Sequence, residues 1–188
     1  MKHSENNDRG PHPARFSARG NGGAGGAQLG APTFIDYQSM RFLITDRPQA
    51  SNLSIYVEQL NKHNVKTLVR VCEPTYDTEK LIENGISVQD WAYDDGEGPP
   101  KKVIDDWLDL IDTWFRDKPG KCVAVHCVAG LGRAPVLVAI ALMEAGMAYE
   151  DAVEFIRKKR RGAINAKQLS FLSTYRPRRK KKGKCTIQ

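Results

Sequence analysis

The feature that most constrains this chain is a ten-residue stretch, His126–Pro135, in which a cysteine and an arginine enclose five small or apolar residues. Before it, Lys121–Val125 is apolar and β-branched, as is typical of a buried strand. After it, Pro135–Met143 has the pattern of a helix with proline in its first turn. A strand, a tight glycine turn and a helix N-terminus form an anion site, because backbone N–H groups and the helix dipole converge on one point. The stretch therefore predicts a phosphate-binding loop.

Residues of this loop indicate chemistry on the bound phosphate. The positive field that holds phosphate also stabilises a thiolate, so Cys127 is predicted to be a nucleophile. Arg133 offers a planar fork for two phosphoryl oxygens, and the glycines allow a sharp bend close to the anion. A buried structural cysteine with a chance arginine is the alternative, which the spacing and flanking elements disfavour. The residues predicted to bind phosphate are Val128, Ala129, Gly130, Leu131, Gly132 and Arg133.

The loop also bears on the substrate. Val128, Ala129 and Leu131 carry no charge. A pocket for a multiply phosphorylated lipid is expected to carry lysines at such positions. Protein phosphotyrosine is therefore favoured over phosphoinositides.

Three regions are expected along the chain. Residues 1–31 contain seven of the sixteen glycines and few large apolar residues, so this extension is predicted to be disordered. Residues 32–175 alternate apolar strands with helices, which predicts a single α/β domain with a central, mostly parallel sheet flanked by helices. Residues 176–188 are a polybasic tail. Cys127 would then lie at the carboxyl end of its strand, where open α/β sheets bind ligands.

Charge is unevenly distributed between the domain and the tail. The tail holds seven of the 29 basic residues and no acid, so the other 22 basic residues balance the 22 acidic ones over residues 1–175. Basicity confined to a tail favours an anionic surface as its partner. A nucleic-acid partner is not predicted.

Cysteine usage and hydropathy indicate the compartment. The four cysteines show no CxxC pairing, which argues against a structural zinc site and a secreted disulfide framework. Neither a metal nor another cofactor is predicted. The sequence contains no apolar run of about 18 residues and no secretory signal, so synthesis and retention in the cytosol are expected.

Two helix starts carry candidate caps. Ser51 or Asn52 is expected to cap the helix that follows, and Asn165 with Gln168 forms a capping pair for the last helix. The tryptophans of the 103–115 helix are predicted to be core residues.

Two adjacent acids are candidates for proton transfer. A cysteine that attacks a phosphate monoester needs a carboxylic acid to protonate the leaving oxygen. Asp94 and Asp95 lie in the Gly- and Pro-rich segment Trp91–Pro100, which suits a mobile flap over the pocket. Turn formation or helix capping, for which Asp is also favoured, is an equally weighted alternative.

Five segments, in order, resemble the phosphatase of regenerating liver (PRL) family of cysteine-dependent, dual-specificity phosphatases: Val69–Glu73, Asp94–Gly96, Ala124–Val138, Arg160–Ala163 and Cys185–Gln188. The resemblance covers roughly residues 33–188. It implies a compact cysteine-phosphatase fold and protein tyrosine phosphatase activity on phosphoproteins. Cys127 is then the nucleophile, Arg133 the phosphate clamp and Asp95 the general acid.

The same resemblance implies partners. It implies frequent homotrimer formation at membranes and binding to cyclin M-type magnesium transport mediators. If the chain is a binding module, the pocket and the Arg161 region are the expected docking surface.

Two positions depart from most cysteine phosphatases. Ala134 stands where most of them have Ser or Thr, as it does in the family that the chain resembles. No hydroxyl then helps to expel the Cys127 thiolate, so hydrolysis of the phosphocysteine is expected to be slow. This keeps open the alternative of a binding module in which phosphocysteine blocks docking. Ala92 replaces the Pro of related flaps, which removes a φ restraint and is expected to loosen the flap.

Cys72 ends a strand that, in a parallel sheet, delivers it to the same edge as Cys127. An ordinary core cysteine is one interpretation. The family resemblance implies instead a reversible Cys72–Cys127 disulfide that protects the nucleophile from overoxidation.

Cys185–Gln188 fits a prenylation box, and the last residue, Gln188, indicates farnesyl. One prenyl chain is a marginal anchor, and the polybasic tail adds about 1 kcal/mol per basic residue near anionic lipid. The expected location is the cytoplasmic face of the plasma membrane and endosomes, or cytosol and nucleus without the lipid. A nuclear localisation signal or a solvated tail is the alternative.

Overall fold

The computed structural model describes residues 29–117 and 120–178. Most of the predicted disordered extension, residues 1–28, and the predicted prenylation site, Cys185, lie outside the described residues. So does the polybasic tail beyond Arg178.

The described residues form a five-stranded sheet and six α-helices. The strands are β1 (Thr33–Tyr37), β2 (Met40–Thr45), β3 (Val65–Arg70), β4 (Ser87–Asp90) and β5 (Cys122–His126). The helices are α1 (Leu53–Lys62), α2 (Glu79–Glu83), α3 (Lys101–Asp117), α4 (Arg133–Glu144), α5 (Tyr149–Lys159) and α6 (Ala166–Thr174), with a 3₁₀ turn at Ala50–Asn52. Within the described part of the chain, no helix combines the length and apolar character needed to cross a membrane.

The sheet is mostly parallel, as predicted. Its strand order is β1-β2-β5-β3-β4, and only β1 pairs with its neighbour in the antiparallel sense. The central strand β5 is buried throughout. Because successive side chains alternate between faces, Val123 and Val125 join the core with α3–α6, whereas Cys122 and Ala124 join the core with α1 and α2. Helices therefore cover both faces.

This order brings the carboxyl ends of four strands to one edge. β5 ends at His126, immediately before Cys127, and pairs there with Thr45 of β2 and Arg70 of β3. β3 in turn pairs through Arg70 with Asp90 at the end of β4. Segments that are distant in sequence thus meet around the predicted phosphate loop.

The predicted tryptophan core and one of the two predicted caps are confirmed. Trp107 and Trp114 are buried. Asn165 Oδ1 accepts from the Gln168 N–H at 2.8 Å, and Gln168 Oε1 accepts from the Asn165 N–H at 3.1 Å.

The predicted cap of α1 is confirmed in position but not in its side-chain hydrogen bond. Asn52 occupies the N-cap position, but its side chain makes no capping hydrogen bond to α1. Its Oδ1 instead accepts from the backbone N–H of Gln49 at 2.8 Å, because the preceding 3₁₀ turn uses the same side chain.

Candidate active site

The carbonyl groups of the loop between β5 and α4 are hydrogen-bonded to residues outside the loop. Four consecutive carbonyl oxygens, those of residues 128–131, accept hydrogen bonds from three other segments. Val128 O accepts from the Arg47 N–H at 3.0 Å, and Leu131 O accepts from the Ile164 N–H at 2.7 Å. The C=O and N–H of a trans peptide point in opposite directions, so the N–H groups of residues 129–132 are directed to the other side. This is the arrangement that an anion-binding loop requires.

The two middle carbonyls are held by the guanidinium of Arg160, at the end of α5. Its Nε donates to Gly130 O at 2.6 Å and its Nη2 to Ala129 O at 3.0 Å. The same Nη2 pairs with Asp46 Oδ1 at 2.5 Å. Arg160 is buried, and this partner carboxylate and the carbonyls satisfy its charge and donors. Arg160 therefore fixes the loop from behind rather than binding substrate.

Both loop glycines have a structural reason. Gly130 has a φ of +63°, and a Cβ there would lie 2.5 Å from the Thr45 carbonyl oxygen and from Arg160 Nη2. A Cβ at Gly132 would lie 3.1 Å from Gln168 Nε2. The sharp bend expected from the sequence occurs at Gly130, and both glycines also allow close packing against neighbouring segments of the protein.

Cys127 and Arg133 lie at the two ends of the loop and are both buried. Arg133 is the first residue of α4, which begins two residues earlier than predicted. Its Nη1 donates to Tyr93 O at 2.9 Å, while its buried Nε makes no hydrogen bond within the described residues. A buried guanidinium with an unsatisfied donor beside a ring of amides is suited to hold phosphate oxygens.

The segment Trp91–Pro100, the acid flap, contacts Arg133 through Asp95. Asp95 Oδ1 lies 3.2 Å from Arg133 Nε, which is an ion pair without hydrogen-bond geometry. The Asp95 side chain is 75% exposed. Asp94 is also exposed, but it forms no ion pair with a described residue of the loop. The structure thus places Asp95, rather than Asp94, beside Arg133.

Tyr93 joins the flap to the loop. Its hydroxyl donates to Arg133 O at 2.9 Å, so Tyr93 and Arg133 exchange two hydrogen bonds. Burial, and then the charges of Cys127 and Asp95, raise the pKa of Tyr93 well above its ordinary value, so it stays a neutral donor.

Next to Cys127, the predicted nucleophile, lies a neutral histidine. His126 Nδ1 lies 2.9 Å from Cys127 O and Nε2 lies 2.5 Å from the Tyr76 hydroxyl. Because a carbonyl can only accept, Nδ1 carries the proton and Nε2 accepts from Tyr76. Burial lowers the pKa of His126 to about 4, since the charged ring would be desolvated. His126 is thus locked as one neutral tautomer.

Cys72 lies at the same sheet edge as Cys127, as its strand predicted. Both cysteines are buried free thiols, and Cys72 Sγ lies 3.9 Å from His126 Nδ1. Burial raises the pKa of the Cys72 thiol, although the positive charge of Arg133 opposes this rise. Cys72 is therefore a protonated thiol close to Cys127.

Several residues of this site carry no local signal in the sequence. Arg160 is one of two adjacent arginines, and only its burial distinguishes it from the exposed Arg161. The side chain of Arg47 adds positive charge near Cys72 and His126. Their roles depend on contacts between segments far apart in the chain.

The described residues also bear on metal binding. Among residues 29–117 and 120–178, no group of three or more His, Cys, Asp or Glu side chains forms a candidate metal site. The loop and the flap beside it carry a buried thiol, a buried guanidinium and an exposed carboxylate. Such a set can bind a phosphate monoester, attack its phosphorus and protonate its leaving group.

Comparisons with known proteins agree with this chemistry. Residues 45–147 match the family model described as "Polymorphic toxin system, DSP-PTPase phosphatase". The chain is 57% identical to mouse protein tyrosine phosphatase type IVA 2 over 163 residues, which cover 84% of this chain and 98% of the relative. The chain belongs to the protein tyrosine phosphatase type IVA family. This confirms the PRL-family membership and the enzyme class, protein tyrosine phosphatase, that were predicted from the sequence.

Two further relatives extend the comparison. The Drosophila melanogaster PRL-1 phosphatase is 54% identical over 164 residues, which cover 84% of this chain and 93% of the relative. A solved structure of a putative protein tyrosine phosphatase from Leishmania major superposes with a TM-score of 0.72 at 42% identity, covering 77% of this chain and 98% of that one. The predicted cysteine-phosphatase fold is therefore confirmed.

Proposed function

We propose that this PRL-family chain dephosphorylates phosphotyrosine in proteins through a phosphocysteine on Cys127 that hydrolyses slowly. The observation that carries the proposal is the outward binding of the carbonyls of residues 128–131, which leaves the loop amides to converge in front of Cys127. Arg133 supplies the charged donors and Asp95 the proton.

The first step transfers the phosphoryl group to sulfur. The Cys127 thiolate attacks phosphorus, the S–P bond forms, and the P–O bond to the substrate breaks. The carboxylic acid form of Asp95 gives its proton to the leaving oxygen, so a neutral tyrosine hydroxyl departs. Asp95, now a carboxylate, pairs with Arg133 as in the structure.

The second step is hydrolysis. Water attacks phosphorus, Asp95 accepts its proton, and the S–P bond breaks to give phosphate and the Cys127 thiolate. Ala134 is fully buried and offers no hydroxyl to stabilise the departing sulfur. This step therefore limits turnover.

The mouth of the pocket favours an aromatic phosphoester. Val128 and Leu131 are 44% and 39% exposed, so the rim of the loop is apolar and uncharged. An aryl ring can pack there, whereas Val128 and Leu131 offer no cationic partner to a multiply phosphorylated lipid. Phosphoserine and phosphothreonine proteins are proposed as secondary substrates, which is compatible with the match to a family model described as a DSP-PTPase phosphatase.

Activity on matched substrates tests this function. Release of phosphate from a phosphotyrosine peptide should exceed release from a phosphoinositide, disappear in Cys127→Ser and fall in Asp95→Asn. Equal activity in Cys127→Ser would show that Cys127 is not the nucleophile. Faster hydrolysis of the phosphoinositide would contradict the substrate class.

A second function, a regulated binding module, is favoured by the buried Ala134. The Arg161 side chain is exposed beside the loop-holding Arg160, so it is free to contact a partner. By family resemblance that partner is a cyclin M-type magnesium transport mediator, and phosphocysteine would block docking. Arg161→Glu should weaken binding to such a protein by calorimetry while leaving dephosphorylation unchanged, and equal affinity would contradict this role.

The tail is proposed to place the enzyme at membranes. A farnesyl group on Cys185 and the basic residues would hold it on the cytoplasmic face of the plasma membrane and endosomes, where homotrimers would form. Cys185→Ser should move the protein to the cytosol or nucleus. Unchanged membrane fractionation would contradict prenylation.

Cys72 is proposed as a redox partner. Peroxide would convert the Cys127 thiolate to a sulfenic acid, and Cys72 would attack that sulfur, forming the disulfide and releasing water. Intact-mass analysis with thiol labelling after peroxide should find both cysteines protected together. Independent modification of each would contradict the pairing.

A further inference from the structure

The N-terminal turn of α6 faces the acid flap. Asn165 Nδ2 donates to Gly96 O at 3.2 Å, and Gln168 Nε2 donates to Glu97 O at 3.3 Å. Lys167 forms an ion pair with the Glu97 carboxylate. Three side chains of one helical turn therefore bind two consecutive flap residues.

A glycine of the flap packs against the same helix. A Cβ at Gly98 would overlap the ring of Phe171, one turn further along α6. Gly98 thus permits close packing on α6, in addition to the flap mobility that a glycine-rich segment predicts. The contact continues the line of Gly96 and Glu97 along the helix.

The other side of the flap binds the loop arginine. Tyr93 and Arg133 exchange hydrogen bonds, and Asp95 lies 3.2 Å from Arg133 Nε. Gln168 is fully buried and borders the loop at Gly132 as well. The segment that carries Asp95 is therefore held between the loop and α6.

We propose that Asn165 and Gln168 are positioning residues that dock the flap and thereby place Asp95 over the pocket. Each amide uses its oxygen to cap α6 and its nitrogen to bind a flap carbonyl. The capping pair thus has a second role in proton donation. This inference rests on the proposed function, in which Asp95 protonates the leaving group.

The two roles of Asn165 can be separated by one substitution. Asn165→Asp keeps the oxygen that accepts from Gln168, and Asp caps helices as well as Asn does. It replaces the Nδ2 donor by an oxygen that faces the Gly96 carbonyl, which repels the flap. Asn61→Asp is the matched control, since it adds the same charge on α1, which packs against the opposite face of the sheet from α6.

The experiment compares first-turnover release of phenol from phenyl phosphate with release of 4-nitrophenol from its phosphate. Only the poor leaving group, phenol, depends strongly on protonation. Asn165→Asp should slow phenol release about tenfold or more, and 4-nitrophenol release less than about twofold. Combining it with Asp95→Asn should slow phenol release no further than Asp95→Asn alone. Asn61→Asp should leave both rates as in the parent protein.

Amide hydrogen exchange gives a readout that does not depend on activity. Residues 94–98 should exchange faster in Asn165→Asp, while exchange within α6 and the urea unfolding midpoint stay unchanged. If Asn165→Asp does not fold, Asn165→Ser serves in its place, because Ser retains a capping oxygen and lacks the amide donor.

The outcomes distinguish the role of Asp95 as general acid from the docking of the flap by α6. If Asp95→Asn shows no leaving-group dependence, Asp95 is not the acid, and both the proposed mechanism and its positioning by α6 fail. If Asp95→Asn shows the dependence but Asn165→Asp does not, or exchange at 94–98 is unchanged, only the docking role is overturned.

Discussion

The phosphate loop and the acid flap meet at Arg133 but are held in different ways. The loop carbonyls are bound by backbone groups and by the buried Arg160, inside the core. The flap is held by one buried side chain of α6, Gln168, and by two exposed ones, Asn165 and Lys167, and its Asp95 is 75% exposed. On the proposed mechanism, phosphate capture is built into the fold, whereas proton donation by Asp95 depends in part on surface contacts that can change without unfolding. Variants of the loop should therefore affect stability and anion binding, and variants of the flap mainly the leaving-group step.

The largest effect is expected from removing the support of the loop. Arg160→Met leaves Asp46 and the carbonyls of residues 129 and 130 without their donor, which should lower the free energy of unfolding by about 3 kcal/mol. This is the low end for a buried pair, because Asp46 is 34% exposed. Urea denaturation measures it, and vanadate affinity should fall in parallel.

The control for this loop variant is Lys159→Met, on an exposed neighbouring position of α5. It should leave both quantities within about 0.5 kcal/mol of the parent protein. Equal loss in both variants would show that Arg160 has no special role.

Lowering the pH should destabilise the folded protein through protonation of His126, next to the loop. Its pKa of about 4 in the folded protein lies below the ordinary value of about 6.5, so the unfolded chain binds the proton first. Stability is therefore present above about pH 6.5 and is lost as the pH falls towards 4, by about 2 kcal/mol at pH 5 relative to pH 8. Urea midpoints across this range test it, with His126→Gln as the variant that should lack this loss. An identical pH dependence in that variant would refute the assignment.

A hydroxyl at the start of α4 should speed hydrolysis without changing capture. Ala134→Ser is expected to raise the rate of phosphocysteine breakdown about tenfold, equivalent to about 1.4 kcal/mol from a hydrogen bond to a charged sulfur. Ala139→Ser, at another buried position of α4, is the control. If both variants or neither hydrolyse faster, the missing hydroxyl is not the cause of slow turnover.

The smallest change in stability is expected at the flap. Gly98→Ala places a methyl group against Phe171, and overpacking should cost about 1 kcal/mol because that half-buried ring can move aside. Vanadate affinity should stay unchanged. Adding Phe171→Leu should restore the urea midpoint, and a double variant as unstable as the sum of the singles would exclude this contact.

The sequence predicts the loop better than the flap, because the loop is one contiguous segment whereas the flap is held by contacts between distant segments. Strand, glycine turn, arginine and helix are contiguous, so local pattern alone indicates the anion site around Cys127. Asp95 and Asp94 could not be separated from local residues, because the contact of Asp95 with Arg133 spans two elements. Only the family resemblance selected Asp95.

The remaining contacts are tertiary and leave no local pattern. Arg160 reaches loop carbonyls 30 and 31 positions earlier. Asn165 and Gln168 were correctly predicted as a capping pair, yet their amide nitrogens bind a flap about 70 residues away. Asn52 lies at the predicted N-cap of α1, yet its side chain makes no capping hydrogen bond there, because it accepts from Gln49 of the preceding 3₁₀ turn.

Rapid mixing of the enzyme with 4-nitrophenyl phosphate tests the central claim most directly, with product and phosphorylated protein followed together. The account predicts a burst of about one equivalent of 4-nitrophenol per Cys127, an equal amount of protein phosphorylated at that residue, and a much slower steady state. Turnover without a burst, or phosphate found on another residue, would contradict it.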